Sequence, residues 1–200
     1  MFKLHTIIAF IFLVSCTSPN KKDYSLHYPD DIQEGDVVFR SGKGLSSEAI
    51  LYADNNGDFS HVGIVVDTLG KLMVVHAVPD ELDFEGDVAR VKLDSLNEFY
   101  SVKKADKGAV CRPRNNALAK KTAKLAAELY KRNILFDNYF DVSDTSKMYC
   151  TELLLFVYSK CGVKLTESDG HRFYLPMLKH KVFLPSDIYN SKQLKLIKQF

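Results

Sequence analysis

From Cys150 to Lys160 the chain reads CTELLLFVYSK, almost wholly apolar. A helix that is apolar on nearly every side cannot rest on a surface, so other elements have to enclose it. Gly162 is placed to stop it. A second helix is expected from Ala117 to Lys131, capped by Asn115. Leu118, Leu125 and Leu129, with Ala119, Thr122 and Ala126, line its inner face at helical spacing. Lys120, Lys121 and Lys124 then form a solvated side.

The first half of the chain reads differently. Turn residues Glu34-Gly35-Asp36 precede a strand starting Val37-Val38-Phe39, and Ser41 to Gly44 is a loop. A short helix is expected over Ser46–Ala53, then a turn at Asn55-Asn56-Gly57-Asp58. His61–Asp67 and Leu72–Ala77 are strands joined by Thr68-Leu69-Gly70-Lys71, a hairpin. Asp80–Asp87 is an acidic, exposed loop. A strand over Val88–Lys92, a short helix over Leu93–Tyr100 and a strand at Val110-Cys111-Arg112 follow. Asn133–Lys147 is irregular and aromatic. Pro185-Ser186-Asp187 starts a turn or helix, and Leu194–Ile197 is a last strand. Strands, two helices and a final strand imply an α+β fold with an antiparallel sheet.

Composition removes several classes. Lys and Arg number 27 against 25 Asp and Glu, so no basic excess draws the chain to nucleic acid. No 18-residue apolar run is present, which argues against a membrane-spanning helix. Four cysteines without a Cys-x-x-Cys pair do not build a zinc finger or a disulfide scaffold. No histidine pair has metal-ligand spacing, and neither a metal nor a cofactor is implied.

Residues 1–16, MFKLHTIIAFIFLVSC, carry a lysine, a short apolar run and then Leu13-Val14-Ser15-Cys16. This resembles a bacterial lipoprotein signal, which implies cleavage after residue 15, lipidation of Cys16 and a membrane anchor. Residues 16–31 would form a polar tether and residues 32–200 the domain. Cys111, Cys150 and Cys161 remain, an odd number. A Cys111–Cys161 disulfide stays open.

Cys150 stands where the irregular segment turns into the apolar helix. A helix N-terminus offers free N–H groups and partial positive charge, which favour a thiolate and can stabilise an oxyanion. This predicts a thiol that ionises below its ordinary value. His61, at the mouth of its strand, is a candidate base. If the turn centres near Gly70, Gly63 faces His76, and alternation puts His61 and His76 on one face. His76 would then orient His61. A one-residue slip would separate them.

Four segments appear in order: Gly35-Asp36-Val37-Val38-Phe39, Phe59-Ser60-His61-Val62-Gly63-Ile64-Val65, Phe136-Asp137 and Tyr149-Cys150-Thr151-Glu152-Leu153. Together, over roughly residues 32–190, they resemble the YiiX-like, circularly permuted branch of the NlpC family of papain-like cysteine hydrolases. In that branch the His-bearing strand precedes the Cys-bearing helix, as here. The resemblance implies a sheet packed against a nucleophile helix, Cys150 as nucleophile, His61 as base and a third polar position at His76. Many relatives carry an acid at that third position, and this chain departs from them. Tyr149 is a candidate donor on the oxyanion side, and Asp137 matches a family position that can also serve to hold its loop.

The function expected is a lipid-anchored envelope hydrolase, in the periplasm or at the outer membrane, that cuts amide bonds of cell-wall peptides. Lipid acyl hydrolysis or acyl transfer is the alternative enzyme. A lipoprotein that only binds peptide or lipid is the alternative without catalysis. An apolar groove beside Cys150 would favour the lipid alternative; Leu175, Met177, Leu178, Val182 and Phe183 read first as core and second as lining of such a groove. Oligomeric state is not legible.

Overall fold

The computed structural model describes residues 24–55, 57–79, 81–174 and 180–200. The signal segment, Cys16, Asn56, Asp80, Leu175, Met177 and Leu178 lie outside the described residues. In chain order the elements are β1 (Val37–Gly42), α1 (Leu45–Ala53), β2 (His61–Thr68), β3 (Lys71–Val78), β4 (Arg90–Ser95) and α2 (Leu96–Phe99). Then come β5 (Ala105–Pro113), α3 (Asn116–Lys131), β6 (Leu135–Phe136), β7 (Lys147–Met148), α4 (Cys150–Lys160), α5 (Pro185–Tyr189) and β8 (Leu194–Gln199).

One sheet runs β7-β6-β4-β3-β2-β1-β5-β8. Its pairings are antiparallel except for β6 with β7, which run parallel inside the segment expected to be irregular. The sheet is therefore mixed rather than purely antiparallel. α3 and α4 pack on one face, against Val37, Phe39, Val62, Ile64, Val75 and Ala77. The other face carries Val38, Val65, Val74 and Val110, covered by Phe99 and Tyr100. Both faces are dry, so all six residues of β1 are buried. That explains its continuous apolar start, since a strand covered on both sides need not alternate.

Three expectations shift. β4 begins at Arg90 and continues to Ser95, because Leu93, Asp94 and Ser95 pair with Val75, Val74 and Met73. Tertiary pairing thus takes the first turn of the expected 93–100 helix, and α2 starts only where Ser95 Oγ caps the Glu98 N–H at 3.1 Å. The chain expected to be tether is packed from Ser25 onward. Ser25 bridges Ser101, the Leu26 N–H bonds to the Tyr100 carbonyl, and the Tyr28 ring stacks on Tyr100 at 5.5 Å. Cys111 and Cys161 are both free thiols, which closes the disulfide option.

The β2–β3 register is the one that brings the histidines together. Ile64 pairs with Val75 and Thr68 with Lys71, which carries Gly63 opposite His76. A Cβ on Gly63 would come within 2.6 Å of Val74 Cγ1 and 3.2 Å of His76 Cβ. Gly63→Ala is expected to lose about 1–3 kcal/mol of stability through overpacking, read as a lower urea midpoint.

α4 ends as expected, with Gly162 in the left-handed region at φ +75°. Its Cys150–Leu154 stretch is buried, whereas Leu155 and Phe156 are half-buried beside a groove. The Gly35-Asp36 turn has a second purpose. Asp36 is buried and takes both the Nε and an Nη of Arg112 at 2.9 Å, tying the start of β1 to β5.

Candidate active site

Cys150 is the first residue of α4, with Tyr149 in an extended conformation before it. The N–H groups of a first turn have no partner within the helix. The Leu153 N–H already reaches the Tyr149 carbonyl at 3.0 Å, whereas those of Cys150 and Thr151 have no partner within the helix and face the Cys150 sulfur. Glu152 folds back to accept from the Tyr149 N–H at 3.3 Å, one half of a capping box. Two further bonds strap the 182–184 segment across this end of the helix. The Phe183 N–H donates to the Tyr149 hydroxyl at 3.0 Å, and Thr151 Oγ1 donates to the Phe183 carbonyl at 2.7 Å.

His61 opens β2, and its Nε2 lies 2.8 Å from Nδ1 of His76. Strand alternation sends both rings to the α2 face, against the Phe99 ring, at centroid distances of 5.8 and 5.3 Å. Nε2 of His76, in turn, lies 3.2 Å from Oδ2 of Asp94, at an angle short of a well-formed hydrogen bond. Arg40 pairs across from His61 on β1. Its guanidinium is buried, donates to the Phe99 carbonyl at 2.9 Å and is ion-paired with Glu81. Lys104 joins the other Glu81 oxygen at 2.7 Å.

His61 and Cys150 line one cleft of about 760 Å³. Ile50, Ala53, Phe136, Phe140, Val182 and Phe183 give it apolar walls, and Arg40, Lys43, Lys103 and Lys104 stand at its polar end. Val182 and Phe183 line this cleft, and Val182 is at the same time part of the core, the reading the sequence placed first.

Burial sets the protonation states. It pushes the Cys150 thiol up to about 11, despite the opposing N–H groups of Val62, Thr151 and Cys150 and the charge of Arg40. The expectation of a lowered thiol is therefore overturned: helix-terminal donors are present, but loss of water outweighs them. Burial also holds His61 well below its ordinary value, assisted by Arg40, His76 and Lys104. His76 is lowered by burial too, against the pull of Asp94. The resting site thus holds a neutral thiol beside neutral imidazoles.

The remaining expected site residues are committed to other partners. The Tyr149 hydroxyl is committed to Phe183 and braces the cleft wall. Asp137 accepts from the N–H groups of Tyr139 and Asp141 at 2.8 and 2.5 Å, so it holds its own loop. Arg40, Glu81, Asp94 and Glu152 are the residues that sequence reasoning missed. Lys92 and Asp94 alternate with Val91 and Leu93, and that pattern looks like a solvated strand face unless the register to β3 is known.

Glu152 is buried, and its Oε1 has no partner. Burial, with Asp137, Asp141 and Asp144 nearby, pushes it up to about 8 from 4.5. Folded, it keeps its proton to about pH 8; unfolded, it loses it near 4.5. Its contribution to stability is intact below pH 4.5 and is lost as the pH rises through 8. Glu152→Gln is expected to stabilise the fold by on the order of 2 kcal/mol at pH 8 and by nothing measurable at pH 4. Thermal unfolding at the two pH values checks this.

A nucleophile, a neutral base and unpaired helix-terminal N–H groups around one apolar cleft can carry out acyl transfer. Among the described residues, no three His, Cys, Asp or Glu side chains converge to hold a metal ion.

Known proteins resemble this chain in sequence family and in fold. The family model described as permuted papain-like amidase enzyme, YaeF/YiiX, C92 family, matches residues 31–198. The crystal structure of YiiX from Escherichia coli O157:H7, described as a metalloprotein, is similar in fold. It is 24% identical, with a TM-score of 0.65, over 84% of this chain and 97% of that one. No curated protein matches the chain.

Proposed function

Because the chain belongs to the permuted papain-like amidases of the YaeF/YiiX, C92 family, we propose that Cys150 and His61 carry out its amide hydrolysis, with His76 orienting His61. One observation carries the assignment: the thiol that opens α4 and the imidazole that opens β2 line the same cleft. Cys150 Sγ attacks the amide carbonyl carbon while His61 takes the thiol proton. The oxyanion that forms is met by free N–H groups at the α4 terminus. Collapse breaks the C–N bond, and His61 gives its proton to the departing nitrogen. Water then attacks the thioester, loses a proton to His61 and releases the acid, and the proton returns to the sulfur.

The substrate reading follows the cleft. Cell-wall peptides suit an envelope amidase, but the walls beside Cys150 are mostly apolar. That favours substrates whose acyl side is hydrophobic, with any anionic group toward Arg40, Lys43 and Lys103. The test compares an N-lauroyl amino acid, a cell-wall stem peptide and phosphatidylcholine vesicles as substrates. Release of laurate and free amino acid, faster than stem-peptide cleavage, is expected. Faster cleavage of the stem peptide would restore the cell-wall reading, and turnover of the vesicles alone would make the protein a lipid esterase.

Lipidation of Cys16 and retention at the cell envelope complete the proposal, supported by the Leu13-Val14-Ser15-Cys16 pattern. Labelling with an alkynyl fatty acid is expected to mark the wild type and to be lost in Cys16→Ala. An unlabelled wild type would remove the anchor.

A further inference from the structure

The chain of contacts that begins at His61 does not end at His76, and its far end carries a consequence for the near one. Asp94 and Lys92 share the face of β4 that meets His76. His76 is wholly buried, and its two ring nitrogens face His61 on one side and Asp94 on the other. The charges around Asp94 come from three directions. Lys92 Nζ lies 4.0 Å from Oδ1, and Lys104 Nζ lies 3.5 Å from Oδ2 and 2.7 Å from Glu81. Arg40, on β1, is paired with Glu81. Lys92 is also held by Asp83 at 2.6 Å, and Lys104 by Glu98 at 2.7 Å. Burial alone would raise the Asp94 carboxyl, but His76, Lys92 and Lys104 together hold it well below the usual carboxylate range.

An ionised carboxylate can only accept. The His76 nitrogen facing it, Nε2, must therefore carry that ring's one proton. A neutral imidazole has a single N–H, so His76 Nδ1 presents a lone pair. The nitrogen 2.8 Å away, His61 Nε2, must then be the donor. His61 in turn is left with a bare Nδ1, the form able to accept a proton from a thiol.

We propose that Asp94 is a positioning residue which, through His76, selects the His61 tautomer with an unprotonated Nδ1. The proposal rests on the reading of His61 as the base. His76 alone could present either nitrogen as the donor, and Asp94 removes that freedom.

The test uses the full domain, with imidazole nitrogens observed by 15N NMR at neutral pH. In the wild type, His61 and His76 are both expected to be protonated at Nε2 and bare at Nδ1. Asp94→Ala is expected to leave His76 Nε2 without an acceptor, so that both rings populate a mixture of tautomers. Turnover of the amide substrate is expected to fall on the order of 100-fold with KM unchanged, and Asp94→Glu to recover most of it. A wild-type His61 protonated at Nδ1 overturns the proposal, and this observation needs no variant to fold. Retention of the wild-type tautomers and rate in Asp94→Ala overturns it as well. If the wild type cleaves no amide, the hydrolase reading falls, while the nitrogen shifts still decide the tautomer.

Discussion

Cys150→Ala abolishes amide hydrolysis, a loss of at least about 10⁴-fold in kcat. The substitution removes the only sulfur among the described residues of the cleft wall, and neither of the other described thiols can replace it. Cys111 is buried within the core under α3 and α4, where burial pushes it up to about 12. Cys161 lies at the opposite end of α4, past its last residue. Ser60 shares the cleft, but its hydroxyl oxygen already accepts from the Gly42 N–H at 2.8 Å. Trapping the acyl-enzyme by acid quench and weighing the intact protein gives the readout. The wild type gains the mass of the acyl group at Cys150, and the variant gains nothing. Residual turnover within tenfold of the wild type would move the nucleophile elsewhere.

His61→Ala lowers the rate by on the order of 10³-fold at neutral pH, and its pH dependence is the more telling measurement. The resting thiol is pushed up to about 11 and His61 is held well below 6.5, so the pair starts uncharged. His61 is then deprotonated throughout the neutral range, and the wild-type rate is level there, with its acid limb below pH 6.5. The variant has lost the base and depends on spontaneous ionisation of the thiol. Its rate is expected to climb about tenfold per pH unit through the same range. Alkylation of Cys150 by iodoacetamide, followed site by site, is expected to show a midpoint above the ordinary thiol value of about 8.5. A midpoint well below 8.5 would mean a thiolate–imidazolium pair already formed in the resting enzyme. The helix-terminal N–H groups would then outweigh desolvation, the reverse of the balance described here.

The contrast between α4 and its first residue shows how far local reading reaches. The bounds of α4, its Gly162 stop, the Asn115 cap of α3 and the β2–β3 hairpin all follow from periodicity and turn residues within a few positions of one another. The His61–His76 pairing stands one step further off, because it holds only if the turn falls at Leu69-Gly70, and a one-residue slip would part the rings. By itself, then, the sequence determined the place of Cys150 at a helix start and of the two histidines on neighbouring strands of one hairpin.

Tertiary structure decided what those groups are able to do. Asp94 reaches His76 only because β4 pairs with β3 in one register, and that choice turned Leu93–Ser95 from helix into strand. The apolar cleft is assembled from α1, the 136–140 segment and residues 182–185, which lie far apart in the chain. The protonation of Cys150 depends on how completely these segments exclude water. Periodicity is a local property of a chain, whereas strand register and desolvation are sums over distant neighbours. Cys150, His61 and His76 could therefore be picked out from the sequence as candidates, but Asp94, the charge states and the chemical character of the cleft could not.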